Sequence, residues 1–243
     1  MRNIIKIMQQ KLTRGQSLVE IALILPLILM MLTGLVEFGF GLNEYLGIQD
    51  ATRNAARFAS DGQYNARDSS YKVCTATRDF YRQAACLVNQ ELRQERPLVH
   101  MSDNGTPGDF TDDYLDPLHG DDIIVSTFGV LEGSGVSSRF PTEYGEQGWS
   151  YSLDLTTNVL GSPHRNASSL FTSAELNTFW LDTDHHSGNS TPSTGLVLVE
   201  VFYNYDQKLK LPWLTAFIPD PMPFHFYTIM SLSSAEPTPT PVH

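Results

Sequence analysis

Residues 21–36 read Ile21-Ala22-Leu23-Ile24-Leu25-Pro26-Leu27-Ile28-Leu29-Met30-Met31-Leu32-Thr33-Gly34-Leu35-Val36, without a charge. One acid, Glu37, interrupts, and Phe38-Gly39-Phe40-Gly41-Leu42 carries the apolar character on. A helix over 21–42 is about 33 Å long at 1.5 Å per residue, enough to cross a hydrocarbon core of about 30 Å. Pro26, Gly34 and Gly39 weaken a helix in water, yet a bilayer offers the backbone no competing partner and tolerates them. The stretch predicts one transmembrane helix, which with its lead-in occupies residues 16–42.

The charge around this run is lopsided. Arg2, Lys6, Lys11 and Arg14 precede it with no acid among them, leaving 12 basic against 27 acidic residues in the remainder. Basic flanks stay in the cytoplasm, so the N-terminus is expected inside and about 200 residues outside. A cleaved signal peptide is the competing reading, and its basic n-region fits. Against it, the apolar run is long, no A-x-A site follows closely, and Leu42 leads directly into another helical pattern. A lipoprotein needs a cysteine after the run, and the first is Cys74.

The chain of 243 residues is 41% hydrophobic and 18% charged, so it can bury a core and is not wholly disordered. A net charge of -11 argues against nucleic acid as a partner, because phosphate binding needs a basic face. Two cysteines cannot build a four-cysteine zinc site. Past the span, Tyr45, Ile48, Ala51, Thr52, Ala55, Phe58 and Ala59 share one helical face, with Gln49, Asp50, Arg53, Asn54 and Arg57 opposite. This predicts an amphipathic extension that covers the sheet of its own domain or packs against neighbouring subunits.

Arg14-Gly15-Gln16-Ser17-Leu18-Val19-Glu20, a proline-containing span, Val36-Glu37-Phe38-Gly39 and an Ala/Arg-rich helix from Ile48 to Arg57 together resemble the TadE-like family. These are pseudopilin-type proteins of the tight-adherence (Flp) pilus system. The resemblance is specific over about residues 13–60, faint in the C-terminal quarter and absent from the middle. It implies cleavage by a prepilin peptidase between Gly15 and Gln16, which places Glu20 fifth in the mature chain. Such a cut removes all four leading basic residues and frees an amine that can pair with Glu20, a carboxylate otherwise costly near the membrane. The bland alternative is that Glu20 only marks the end of the span. Gln16 departs from the aromatic first residue common in type IV pilins but suits the TadE-like pattern. Glu37 lies 17 residues beyond Glu20, about 25 Å along the helix and about 100° around it. The two acids therefore serve different partners: Glu37 meets a basic group on a partner helix or reaches the outer interface.

The remaining chain, residues 43–234, reads as an extracytoplasmic α+β domain. A second helix is expected from Thr77 to about Gln94, presenting Phe80, Tyr81, Ala84, Leu87, Val88 and Leu92 on one face. Cys74 and Cys86 flank its start. Within one helix they are too far apart to bond, but a loop at Cys74 permits a disulfide outside the cytoplasm; bonded and free forms both stand. Strand signals follow at 122–131, toward Arg139-Phe140, at Trp149–Leu155 by alternation, at Leu196–Tyr205 and at Phe224–Leu232. Helices early and strands late predict a pilin-like antiparallel sheet head packed on a long N-terminal helix. The link 211–223, LPWLTAFIPDPMP, is apolar and proline-rich, closing a core edge or touching membrane or partner. Residues 235–243 form a Pro/Thr-rich tail, and residues 1–15 the basic leader.

The aspartates of 103–122 do not follow the spacing of a calcium loop and read as a solvated acidic segment. His185-His186 beside Asp182 and Asp184 looks like loop, and neither metal nor cofactor is expected. The chain holds no H-E-x-x-H, G-x-S-x-G, Walker A or C-x-x-C pattern. The sequence therefore points to a non-enzymatic, single-pass protein of a bacterial inner membrane. Its expected partners are the bilayer, a prepilin peptidase, other pilin-like subunits and tight-adherence assembly proteins. A membrane-anchored binding or adhesin domain outside any pilus is the rival.

Overall fold

The apolar run and the amphipathic run after it make one helix, α1 (Arg2–Ser60), which continues through Pro26. In the computed structural model the described residues are 2–61, 80–94, 99, 101–102, 113–131, 135–157, 162–181 and 194–232. The chain divides into two units: Met1–Asn43 with Asp206–Asp220, and Glu44–Tyr205 with Pro221–His243.

In the first unit the apolar face of α1 is open. Leu23, Leu25, Ile28, Met31 and Leu35 are all exposed. Among the described residues one helix is long and apolar enough to cross a membrane. Its one hydroxyl in the apolar run, Thr33 Oγ1, donates to Leu29 and Met30 carbonyls at 2.9 and 3.0 Å. Bonding back into the helix spares a polar group the cost of standing alone in hydrocarbon. Residues 206–220 carry one short helical turn, α5 (Pro212–Thr215).

The second unit is built on an antiparallel sheet. Strands β3 (Asp122–Leu131), β4 (Gly135–Phe140), β6 (Thr194–Tyr205) and β7 (Met222–Leu232) run in the order β4-β3-β6-β7, and short β5 (Trp149–Ser150) also pairs with β3. Strand β6 is central, with Val199 opposite Val125 on one side and Thr228 on the other. A separate ladder joins β1 (Met101–Ser102) to β2 (Tyr114–Leu115).

Strand alternation divides the apolar residues between two faces. One face gathers Ile123, Val125, Val197, Val199, Val201, Tyr203, Tyr205 and Phe226. It meets Ile48, Ala51, Ala55 and Ala59 of α1 and Phe80, Ala84, Val88 and Leu92 of α2 (Phe80–Gln94). Alanines at this spacing let the helix lie close to the sheet. The amphipathic extension thus covers its own domain, the first of the two roles expected. The opposite face gathers Phe128, Val130, Val136, Leu196 and Leu198 under Leu176 of α4 (Ser173–Leu181). The α+β class and antiparallel head hold.

Two expectations need correction. The alternation at Trp149–Leu155 does not make a strand. Pairing stops at Ser150, whose Oγ accepts from Leu153 N at 3.1 Å and starts α3 (Tyr151–Leu155). A serine at that position satisfies an orphan helix donor, and this local bond overrides period-two patterning. Second, the acidic segment is not solvated throughout, because Asp113, Asp121 and Asp122 are fully buried. Of the 211–223 link, Met222 packs against the helix-covered core, while residues 206–220 belong to the first unit. Residues 62–79, the 103–112 part of the acidic run, His185-His186 and the tail from 233 lie outside the described residues.

Candidate functional site

The first unit is organised by one carboxylate. Glu37 is 5% exposed although it sits on a helix whose neighbours are bare. Its Oε1 accepts from Lys208 N and its Oε2 from Leu209 N, both at 2.8 Å. Two backbone amides in register with two carboxylate oxygens form charge-assisted bonds, the strong kind. Three residues earlier, about 4.5 Å down the axis, Gly34 faces Trp213, and a Cβ there would stand 3.3 Å from the indole Cη2. The glycine read from sequence as a helix weakener therefore leaves room for an aromatic ring.

The segment that supplies those groups is closed on itself. Gln207 N donates to Asp220 Oδ1 at 3.0 Å, and its Nε2 donates to the Ile218 carbonyl at 3.1 Å. Leu211 O accepts from Leu214 N and Thr215 N, and Leu214 O from Phe217 N and Ile218 N. Leu214 is buried, whereas Phe217 is 85% exposed.

In the second unit the buried polar groups pin loops to the sheet. Asp122 Oδ2 accepts from Ser150 Oγ, Ser152 Oγ and Ala167 N, and Oδ1 from Ser152 N at 2.8 Å. Burial nonetheless raises its pKa above the usual carboxylate range, the bonds from Ser152, Ser150 and Ala167 offsetting only part of the lost hydration. On the same face Arg139 donates to Glu146 Oε2, Ser126 Oγ and the Phe171 carbonyl, and stacks over Phe128 at 4.9 Å. Glu200 Oε1 meets His225 Nε2 and Leu170 N, each at 3.0 Å. On the helix-covered face, Tyr203 O–H donates to Glu44 Oε2 at 2.9 Å. These groups hold segments 144–155 and 162–172 in place; the arrangement is a set of structural clamps.

The residues singled out from sequence are spread along α1. Gly15 and Gln16 lie on its backbone, and Glu20 is on the exposed part of the same helix. Among them Glu37 is buried, and two amides of its own chain bond to it. Cys86 is buried on α2 and disulfide-bonded, while Cys74, its candidate partner, lies outside the described residues. Among the described residues no cluster of His, Cys, Asp or Glu is placed to hold a metal ion. Sequence reading missed the amides of Lys208 and Leu209, since a backbone donor leaves no compositional trace. It also missed Trp213 on Gly34, where the signal was an aromatic inside an apolar, proline-rich link.

A comparison with protein families matches residues 15–57 to the family described as TadE-like protein. The matched stretch starts at Gly15 and ends within the sheet-covering part of α1. It carries the resemblance read from RGQSLVE onward, and implies association with the Tad pilus through an N-terminal membrane helix. Neither the comparison with curated proteins nor that with solved structures found a match.

Proposed function

We propose that this TadE-like chain is a pseudopilin: a membrane-anchored, non-enzymatic component in the assembly of a tight-adherence, Flp-type pilus. A prepilin peptidase cuts it between Gly15 and Gln16. The span then holds it in the inner membrane with the sheet unit outside, where it meets other pilin-like subunits and assembly proteins. The observation that carries this reading is the family match over residues 15–57, which covers Gly15, Gln16, Glu20, the apolar run and Glu37 on one helix. Two physical features support it. The helix leaves its apolar side chains uncovered from Leu18 to Val36, as packing against lipid or like helices requires. The four basic residues ahead of the span, Arg2, Lys6, Lys11 and Arg14, all precede the cut, so cleavage releases the positive charges that tether the N-terminus to the cytoplasmic face.

The N-terminal sequence of the mature protein tests it. A chain beginning at Gln16 supports processing as a pilin-like substrate. An intact Met1 favours a plain anchor for a binding or adhesin domain, and a start beyond Leu42 means secretion. Glu20→Ala is expected to stop pilus assembly without removing the protein from the membrane; normal piliation with that variant refutes the residue's assembly role.

A further inference from the structure

Between the two longest strands of the sheet, the chain makes a detour of fifteen residues, 206–220, that belongs to the membrane-helix unit. Its composition is that of the membrane interface. Leu209, Leu211, Trp213, Leu214, Phe217 and Ile218 supply apolar surface, with Lys208 and Lys210 at its N-terminal end. Phe217 is 85% exposed, and Leu209 and Ile218 are each 37% exposed. Water gives such a cluster no return for its ordering.

The backbone is suited to a medium without water. Amides of Leu214, Thr215, Phe217 and Ile218 bond to carbonyls inside the segment, Gln207 closes its base, and those of Lys208 and Leu209 bond to Glu37. Pro212 and Pro219 have no amide to satisfy. Irregular chain at membrane depth is tolerated only when its polar groups are met in this way.

Its depth follows from the helix. From Ile21, the first residue past Glu20, the axis reaches Gly34 after about 20 Å and Glu37 after about 24 Å. A hydrocarbon core of about 30 Å starting at Ile21 thus ends near Gly41. Trp213, seated on Gly34, falls in the outer part of that core, about 10 Å from its edge, the depth to which interfacial elements sink their apolar faces.

We propose that residues 208–218 form a second membrane element: an interfacial anchor lying in the headgroup–acyl boundary at the outer end of the span, with Phe217 and Ile218 in contact with lipid and Glu37 as its latch. This rests on the transmembrane reading of α1. The occupant is phospholipid, because the exposed Phe217 and Ile218 belong to one unit with a helix whose Leu35 and Phe38 are bare beside Glu37, the residue that holds the segment.

The test places photoreactive benzoylphenylalanine at Phe217 in the full chain, reconstituted in phosphatidylcholine vesicles. Phe217 is exposed, so the replacement leaves the fold intact. Leu23, within the span, is substituted in the same way in a parallel sample. Phospholipid adducts at both positions, in yields of the same order, are expected by mass spectrometry. Adducts at 23 with none at 217 overturn the anchor and leave the span standing. Protein–protein cross-links at 217 in place of lipid adducts also overturn it and identify a second copy as the occupant. Loss of lipid adducts at 23 as well refutes the span itself.

Discussion

Replacing Glu37 probes the latch directly. The carboxylate accepts two amide bonds of 2.8 Å and is 5% exposed, so truncation to alanine removes both acceptors and leaves two donors unmet. Bonds to a charged group are each worth about 1.5–3 kcal/mol, so the local opening free energy is expected to fall by about 3 kcal/mol or more. At about 1.4 kcal/mol per factor of ten, amide exchange at Lys208 and Leu209 accelerates roughly 100-fold. Glu37→Gln keeps one oxygen and turns an NH2 toward the other amide. It loses about half the effect, accelerating exchange roughly tenfold. Hydrogen–deuterium exchange of the full chain in lipid nanodiscs, read on peptides covering 206–210, measures both variants, and the amide of Val199 in the buried centre of β6 serves as the reference. The reasoning fails if Glu37→Ala leaves exchange at 208–209 within about threefold of wild type. It fails equally if Val199 is deprotected to the same extent, since the loss is then global unfolding.

Further expectations concern the sheet unit. Gly148 holds φ +73°, and a Cβ there would stand 2.4 Å from Ser126 Oγ and 2.8 Å from Ile124 Cγ2. Gly148→Ala should therefore cost about 3 kcal/mol or more, seen as a lower urea midpoint, and an unchanged midpoint refutes the clash. Tyr203→Phe removes the buried O–H bond to Glu44 and should lower stability by about 1.5–3 kcal/mol with the denaturant slope unchanged; a neutral effect would mean the bond adds nothing over hydration. Asp122 has a folded pKa above its unfolded value of about 3.9 because burial opposes its charge. The folded state thus holds the proton more tightly, and wild type loses stability relative to Asp122→Asn as pH rises from about 4 toward the folded value. Urea titrations across that range check the sign, and a wild-type advantage that grows with pH refutes it.

Much of the architecture was legible because it rests on periodicity. Sixteen uncharged positions in a row mark a long apolar helix, and the 3.6-residue repeat of Ile48, Ala51, Ala55 and Ala59 marks the face that meets the sheet. Alternation likewise placed β6, where Val197 to Tyr205 line one core. Alternation failed at Tyr151–Leu155 because one serine cap outweighs a weak pattern. The layer on the second sheet face went unread, since Phe171 and Leu176 sit in a polar stretch with no repeat to flag them.

Composition and spacing alone thus determined the long apolar helix, the basic block before it, the TadE-like motif and the α+β order, all properties carried by neighbours along the chain. Tertiary structure decided what Glu37 does, because its partners are amides 171 and 172 residues away. It also decided that an apolar link belongs with the membrane helix, and that Asp113, Asp121 and Asp122 are interior groups. A backbone donor is the same at every residue but proline, so only the fold can show which two of them a buried carboxylate meets.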